Sequence, residues 1–295
     1  MLVAGAALTA SAPVEAAKPP AKAGKIAAKG GKAGKTGKGA AAEAAPAAAP
    51  QKVLPPETVE KLRDQLQSEQ EAIAMEAAKQ LGASGASNAS APLLELLAVG
   101  GRPTVTAAAL DALARLKDPK GLELLDLYAG NRNPDVRRRA VRALAAIPDP
   151  RVVDTLIDRL GDVAPDVRGA AADGLAARGE VKAEARLYAL VKRNDQAAGV
   201  AGALGSVATP DTVARLADLQ GRVDDGVLAT ALGEYLKRET VPDTLRVEVV
   251  RTLAKLPGAA TTTALIEYLA TVPEKEDRPS RTEAQKVIDQ RGGQK

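Results

Sequence analysis

Pro-Asp-Val-Arg occurs twice in this chain, at 134–137 and 165–168, and the 31-residue interval between the copies restricts the fold more than any other feature. Set at that period, scattered residues fall into columns: Val105, Val136 and Val167; Ala109, Ala140 and Ala171; Leu113, Leu144 and Leu175; Leu125, Leu156 and Leu187. Pro103, Pro134 and Pro165 open the successive units. Self-similarity on this scale means that one supersecondary unit, unable to bury its apolar face alone, is stacked on the next.

Each unit reads as two helices. Asn133 suits an N-cap with Pro134 at the first helical position, where a missing N–H costs nothing. Val136, Ala140, Val141 and Leu144 then recur on one helical face. Asp149 with Pro150, and Asp118 with Pro119 one unit earlier, repeat the device for a second helix, whose buried face is Val152, Val153, Leu156, Ile157 and Leu160. Outside the regular centre the phase continues with an earlier unit at 68–100 and a later, shortened one at 194–220. The stretch 224–239 is a helix with no evident partner; 242–256 and 261–272 are expected to form a last pair, and 281–290 a closing helix. This gives about six helix pairs over 56–272, with a C-terminal helix and tail at 273–295.

The composition agrees, because there is no Phe, Trp, Cys or His and there are only four tyrosines. A core of Ala, Leu and Val suits closely packed helices better than a β-sandwich. The same absences remove thiolate and imidazole chemistry, the Ser-His-Asp triad and zinc sites with nitrogen or sulfur ligands. Two chance motifs fail on inspection. Gly34-Lys35-Thr36 lacks the glycine five residues before it that a phosphate-binding loop needs, since Lys29 stands there. The run from Asn131 imitates a calcium loop but has Val136 at its sixth position and Arg142 at its twelfth. The tyrosines (128, 188, 235 and 268) are expected to be partly buried packing residues with wet hydroxyls.

The segment 133–160, with its Asp-x-x-Val-Arg-like opening, Ala-Leu, Asp-Pro and apolar second helix, resembles a HEAT-like repeat of the short bacterial type, also found in bilin lyases and deoxyhypusine hydroxylase. The resemblance is strongest over 101–191 and weaker over 56–100 and 192–272. It implies an all-α, right-handed α-solenoid whose second helices line the concave side. It does not carry the hydroxylase activity, because that metal site needs histidines and this chain has none. Lyase activity would need a chromophore pocket and a partner subunit, and neither is visible in the sequence. Neither a catalytic residue nor a cofactor is expected.

Three polar columns accompany the apolar ones. Arg137 and Arg168, preceded by Asp135 and Asp166, read either as a basic row for an acidic partner or as a ladder joining each repeat to the next; the ladder is expected, since a fixed column serves something every unit needs. Asp111, Arg142 and Asp173 would alternate in sign along the stack as an inter-repeat ion-pair row. Lys120, Arg151 and Lys182 stand near second-helix N-termini, where the macrodipole disfavours cations. With Asp154, Asp158, Arg159 and Arg186 nearby, that row reads as the border of a partner-binding groove or as an ordinary solvated rim.

The first 55 residues differ in kind. Residues 1–17 resemble the second half of a secretory signal peptide, an apolar run closing on Val14 and Ala16 at the −3 and −1 positions of a cleavage site. No Lys or Arg precedes the run, as a start assigned too far downstream would explain. The run is too short to span a membrane. Residues 18–55 read as a Lys/Ala/Gly/Pro linker; up to Lys52 there are eight lysines against Glu15 and Glu43, so the high pI of about 9.2 belongs to this segment. Such a tail attracts polyanions weakly and with salt sensitivity. The expected function is a non-catalytic scaffold, periplasmic or secreted, that binds another protein along the concave surface. The alternative is a cytoplasmic nucleic-acid-associated HEAT protein with a basic tail.

Overall fold

The computed structural model describes residues 52–193, 195–197, 199–273 and 276–292. Fifteen α-helices are present among them, with no strand. A single helix, α1 (Pro56–Leu66), precedes seven pairs: α2 (Glu71–Ser84) with α3 (Ser90–Val99), α4 (Pro103–Leu116) with α5 (Leu122–Ala129), α6 (Pro134–Ala146) with α7 (Val152–Arg159), and α8 (Pro165–Ala177) with α9 (Glu184–Lys192). The rest are α10 (Ala201–Val207) with α11 (Pro210–Ala217), α12 (Asp225–Lys237) with α13 (Asp243–Lys255), and α14 (Ala259–Thr271) with α15 (Pro279–Gly292).

The even-numbered helices pack in sequence from α2 to α14 as one layer. The odd-numbered helices form a second layer, in which α1, α3, α5 and α7 touch in turn, as do α11, α13 and α15. This is an α-solenoid. Every residue of the four apolar columns is buried, from Val105 at one end to Leu187 at the other, and all but Val105 belong to one continuous hydrophobic core.

The caps form as the sequence implies. Asn133 Oδ1 accepts the Asp135 N–H at 2.9 Å, with Pro134 opening α6. Asp118 Oδ1 accepts the Lys120 N–H at 3.0 Å, and Asp149 Oδ1 the Arg151 N–H at 2.8 Å, each in the turn that leads into a second helix. Small residues set the spacing of the first layer. A β-carbon at Gly205 would lie 2.1 Å from the Ala231 carbonyl oxygen, and one at Gly174 would lie 2.5 Å from the Ala145 β-carbon. The helices approach too closely there for any side chain, which is why Gly and Ala occupy these faces.

The structure corrects the phase of the C-terminal third. Helix α12 has a partner: it packs between α10 and α14 in the first layer, and α13 is its second helix. Helix α14 is therefore a first helix, and α15 completes its pair instead of closing the row from outside. The solenoid runs to Gly292, past the expected limit of 272, and holds seven pairs. The misreading arose at Pro242-Asp243, which imitates the Pro-Asp opening of α6 and α8 although Pro242 is the N-cap of a second helix. Ser280 of α15 is fully buried, its N–H donating to Asp243 Oδ2 at 3.1 Å and its hydroxyl bonded to Tyr268. The Tyr268 hydroxyl is therefore dry, contrary to expectation, and Tyr235 is buried too.

At the other end, residues expected to belong to the linker are fixed. The Leu54 N–H donates to Asn88 Oδ1 and the Asn88 amide donates back to the Leu54 carbonyl, both at 3.0 Å, while Lys52 O accepts the Ser87 N–H. The signal-like segment and the rest of the basic linker lie outside the described residues.

Candidate functional site

The polar columns resolve into two groups, those spent on the scaffold and those left over. The main ladder consists of long side chains donating to main-chain carbonyls. Arg137 Nη1 donates to the carbonyls of Asn131 (2.9 Å) and Arg132 (3.1 Å), and Arg168 Nη1 to those of Asp162 (3.0 Å) and Val163 (3.2 Å). Thr106 does the same for Gly101 at 3.3 Å. Each thus satisfies the loop that enters its own unit, where carbonyls would otherwise be stranded. Arg178 Nη1 and Nη2 reach back to the Ile147 and Asp149 carbonyls at 2.8 and 2.9 Å, in the turn of the preceding unit. In the second layer the Tyr128 hydroxyl donates to the Leu97 carbonyl (2.8 Å) and Arg159 Nη1 to the Ala129 carbonyl (3.2 Å), so each helix caps the C-terminus of the one before.

The carboxylate partner of the arginine column among the described residues is Asp162, which Arg137 holds across the repeat boundary. Burial pushes the Asp162 carboxyl up, but the Arg137 guanidinium and the Ala164 N–H outweigh it and hold the group below the ordinary range. Asp135 does not reach the next repeat. It pairs with Arg138 and Arg139 of its own helix, which depress its pKa. Asp166 forms no side-chain bond among the described residues; it lines an open cleft of 540 Å³ with Arg138, Arg142 and Asp173.

The expected ion-pair row is corrected in the same way. Asp111 pairs with Arg139, not Arg142, because the side chain one turn nearer the helix start faces the preceding helix. Arg142 forms no salt bridge among the described residues, although it lies close enough to Asp173 to lower that carboxyl slightly against burial, which raises it overall.

Of the seven residues expected at a partner surface, two are engaged internally. Arg159 caps α5, and Arg151 is tied to Asp149 by hydrogen bonds of 2.7–3.2 Å while its side chain stays largely exposed. Arg186 lies over the end of α7, with a guanidinium nitrogen 3.1 Å from where a Gly161 β-carbon would be. Lys120, Asp154, Asp158 and Lys182 are exposed, and their side chains make no hydrogen bond or ion pair among the described residues. The structure adds Glu123, Asp126 and Leu127 of α5 to the same face, with Leu127 72% exposed and Asp126 accepting the Thr155 hydroxyl at 2.9 Å. The repeat columns of the sequence do not include Leu127 and give no sign that it faces water.

A row of helix pairs, stitched unit to unit through its main chain, is a solenoid repeat protein. A family model described as HEAT repeats matches residues 99–176 and, in a second register, 121–198. Solved structures similar to it include the complex of CpcE and CpcF of phycocyanin lyase from Nostoc sp. PCC7120, at 19% identity over 85% of this chain and 99% of that one, with a TM-score of 0.44. An engineered protein matches at 24% identity over 80% of this chain and 72% of its own (TM-score 0.41). A designed armadillo repeat protein in complex with the peptide (KR)4 matches at 16% over 78% and 98% (TM-score 0.35). No curated protein matches. No helix among the described residues is long and apolar enough to cross a membrane.

Proposed function

We propose that this chain is a non-catalytic scaffold that binds another protein along the second-layer face of α5, α7 and α9, and that it acts outside the cytoplasm. One observation carries the reading: the first-layer arginines Arg137, Arg168 and Arg178 are consumed by main-chain carbonyls, whereas Asp154 and Asp158 of α7 are exposed and form no side-chain bond among the described residues, and Leu127 of α5 is exposed too. Solenoids use such extended faces for partners, and an apolar residue ringed by charge is the usual composition of a contact patch. Lys120, Lys182 and Arg186 border the acidic centre, so a partner strand with basic side chains at its middle fits best. The absence of Cys and His supports a binding role over catalysis.

The test is capture of partners from the native host by the mature chain and by its Asp154→Lys/Asp158→Lys variant. Loss of one partner in the variant supports the surface; identical capture refutes it. Export rests on the signal-like 1–17 segment and is tested by the mass of the native N-terminus, cleavage after Ala16 or Ala17 being the expected result. An uncleaved chain whose DNA affinity falls steeply with salt would favour the nucleic-acid reading, which the eight N-terminal lysines support.

A further inference from the structure

The second layer has a vacancy near its start. Between α3 and α5 the space at the helix ends is taken by Tyr128, and between α5 and α7 by Arg159, each reaching back to a carbonyl of the previous helix. The residue in register with them in α3, 31 positions before Tyr128, is Leu97, which is buried and has no donor to extend toward α1. In the corresponding gap between α1 and α3 lies a cavity of 780 Å³, walled by Leu66, Pro92, Leu96 and Val105, with Val99 on its rim. Val99 is 90% exposed, an apolar side chain that no element of the described fold covers.

The charges around this cavity are unequal. Arg63 is balanced by Glu60 at 2.9 Å and by Glu95, across the gap, at 3.1 Å. Arg102 spends its two terminal nitrogens on the Ser68 and Glu69 carbonyls and meets no carboxylate among the described residues. It is also the N-cap residue of α4, whose first turn receives no side-chain cap, so the positive end of that helix adds to its charge. Aliphatic walls within the ordinary volume range of ligand sites, together with one unneutralised cation, define the chemistry of an occupant.

We propose that this cavity binds an aliphatic carboxylate, with its chain against Leu66, Leu96, Val99 and Val105 and its head toward Arg102. The site is separate from the α5–α9 face and stands or falls independently of the partner-binding reading.

The test titrates the full chain with octanoate, 1-octanol and octylammonium while following the methyl resonances of Leu96, Val99 and Val105. Octanoate is expected to shift these methyls, with 1-octanol binding about tenfold more weakly and octylammonium more weakly still. Arg102→Gln should weaken octanoate binding about fivefold. Because Arg102 also braces a loop, Val99→Asp provides a second variant: the position is exposed enough to leave the fold intact, and a negative rim should repel octanoate to a similar extent. These comparisons also remove any background from the basic N-terminal segment. No shift with octanoate, equal binding of octanoate and octanol, or octanoate binding unchanged in Val99→Asp would each overturn the proposal. Tighter binding of acetyl-Val-Leu-Leu with a free C-terminus would overturn it too, in favour of a peptide end.

Discussion

Arg137 reaches from α6 to Asp162, the residue that leads into α8, through two parallel hydrogen bonds of 2.8 and 2.7 Å. Both side chains are nearly buried, at 11% and 6% exposure, so the fork-to-fork geometry operates away from water and joins consecutive repeats. Replacing Arg137 by Met leaves a buried carboxylate with only the Ala164 N–H, and the expected loss is about 3 kcal/mol by urea unfolding. Adding Asp162→Asn should recover part of it, since the stranded charge is then removed. If the single and double variants unfold alike, the carboxylate left behind by Arg137→Met carries no penalty of its own.

The same pair sets an acid limit. The folded-state pKa of Asp162 lies below its ordinary 3.8, so its stabilisation is present above that value and is lost as pH falls through the folded value. Asp162→Asn should therefore be less stable than the parent at pH 7, and the gap should close in strong acid.

Asp173 has the opposite sign, because burial raises its pKa and Arg142 offsets this only in part. Its ionisation penalises the fold at neutral pH, and the penalty fades as pH falls toward and through the folded value. Asp173→Asn is expected to raise the melting temperature at pH 7 and to remove the gain that the parent shows on mild acidification. A variant no more stable than the parent at pH 7 would contradict this.

Two glycines of α10 separate close approach from conformational cost. Gly205→Ala drives a methyl into the Ala231 carbonyl and should cost at least about 2 kcal/mol. Gly202→Ala meets Glu234 Cγ at 3.5 Å and Thr230 Cγ2 at 3.8 Å, both ordinary contacts, and should be neutral or stabilising by up to about 1 kcal/mol, since Ala is the better helix former. Thermal unfolding of the two single variants distinguishes them.

Lys117 ends α4 in the left-handed conformation with φ of 55°, alone among the described non-glycine residues. Lys117→Gly should stabilise the protein by about 0.5–1 kcal/mol through relief of that strain. The side chain is exposed, so no lost contact should mask the gain.

What was legible in the sequence follows the physics of each feature. Val136, Ala140 and Leu144 must recur because every unit buries the same face, and Asn133 and Asp118 announce helix starts because few other residues can cap one. The ladder was legible only as a column of arginines. Its acceptors are carbonyls of residues such as Asn131 and Val163, and any residue type carries a carbonyl, so no partner column exists to be found. Arg139 was missed as the partner of Asp111 because helical twist, not period, decides which of two nearby arginines faces the neighbouring helix. Exposure at Leu127 and the cavity beside Val99 depend on what a neighbouring helix fails to cover, and one residue's identity does not record that.

Because Arg137 holds the loop ahead of it and Arg178 the turn behind, an inner repeat is fastened on both sides. A repeat at either extremity lacks one set of fastenings. Under load or heat the row should therefore fray from its tips inward, and the centre around α6 and α8 should be the last part to exchange its amide hydrogens with solvent.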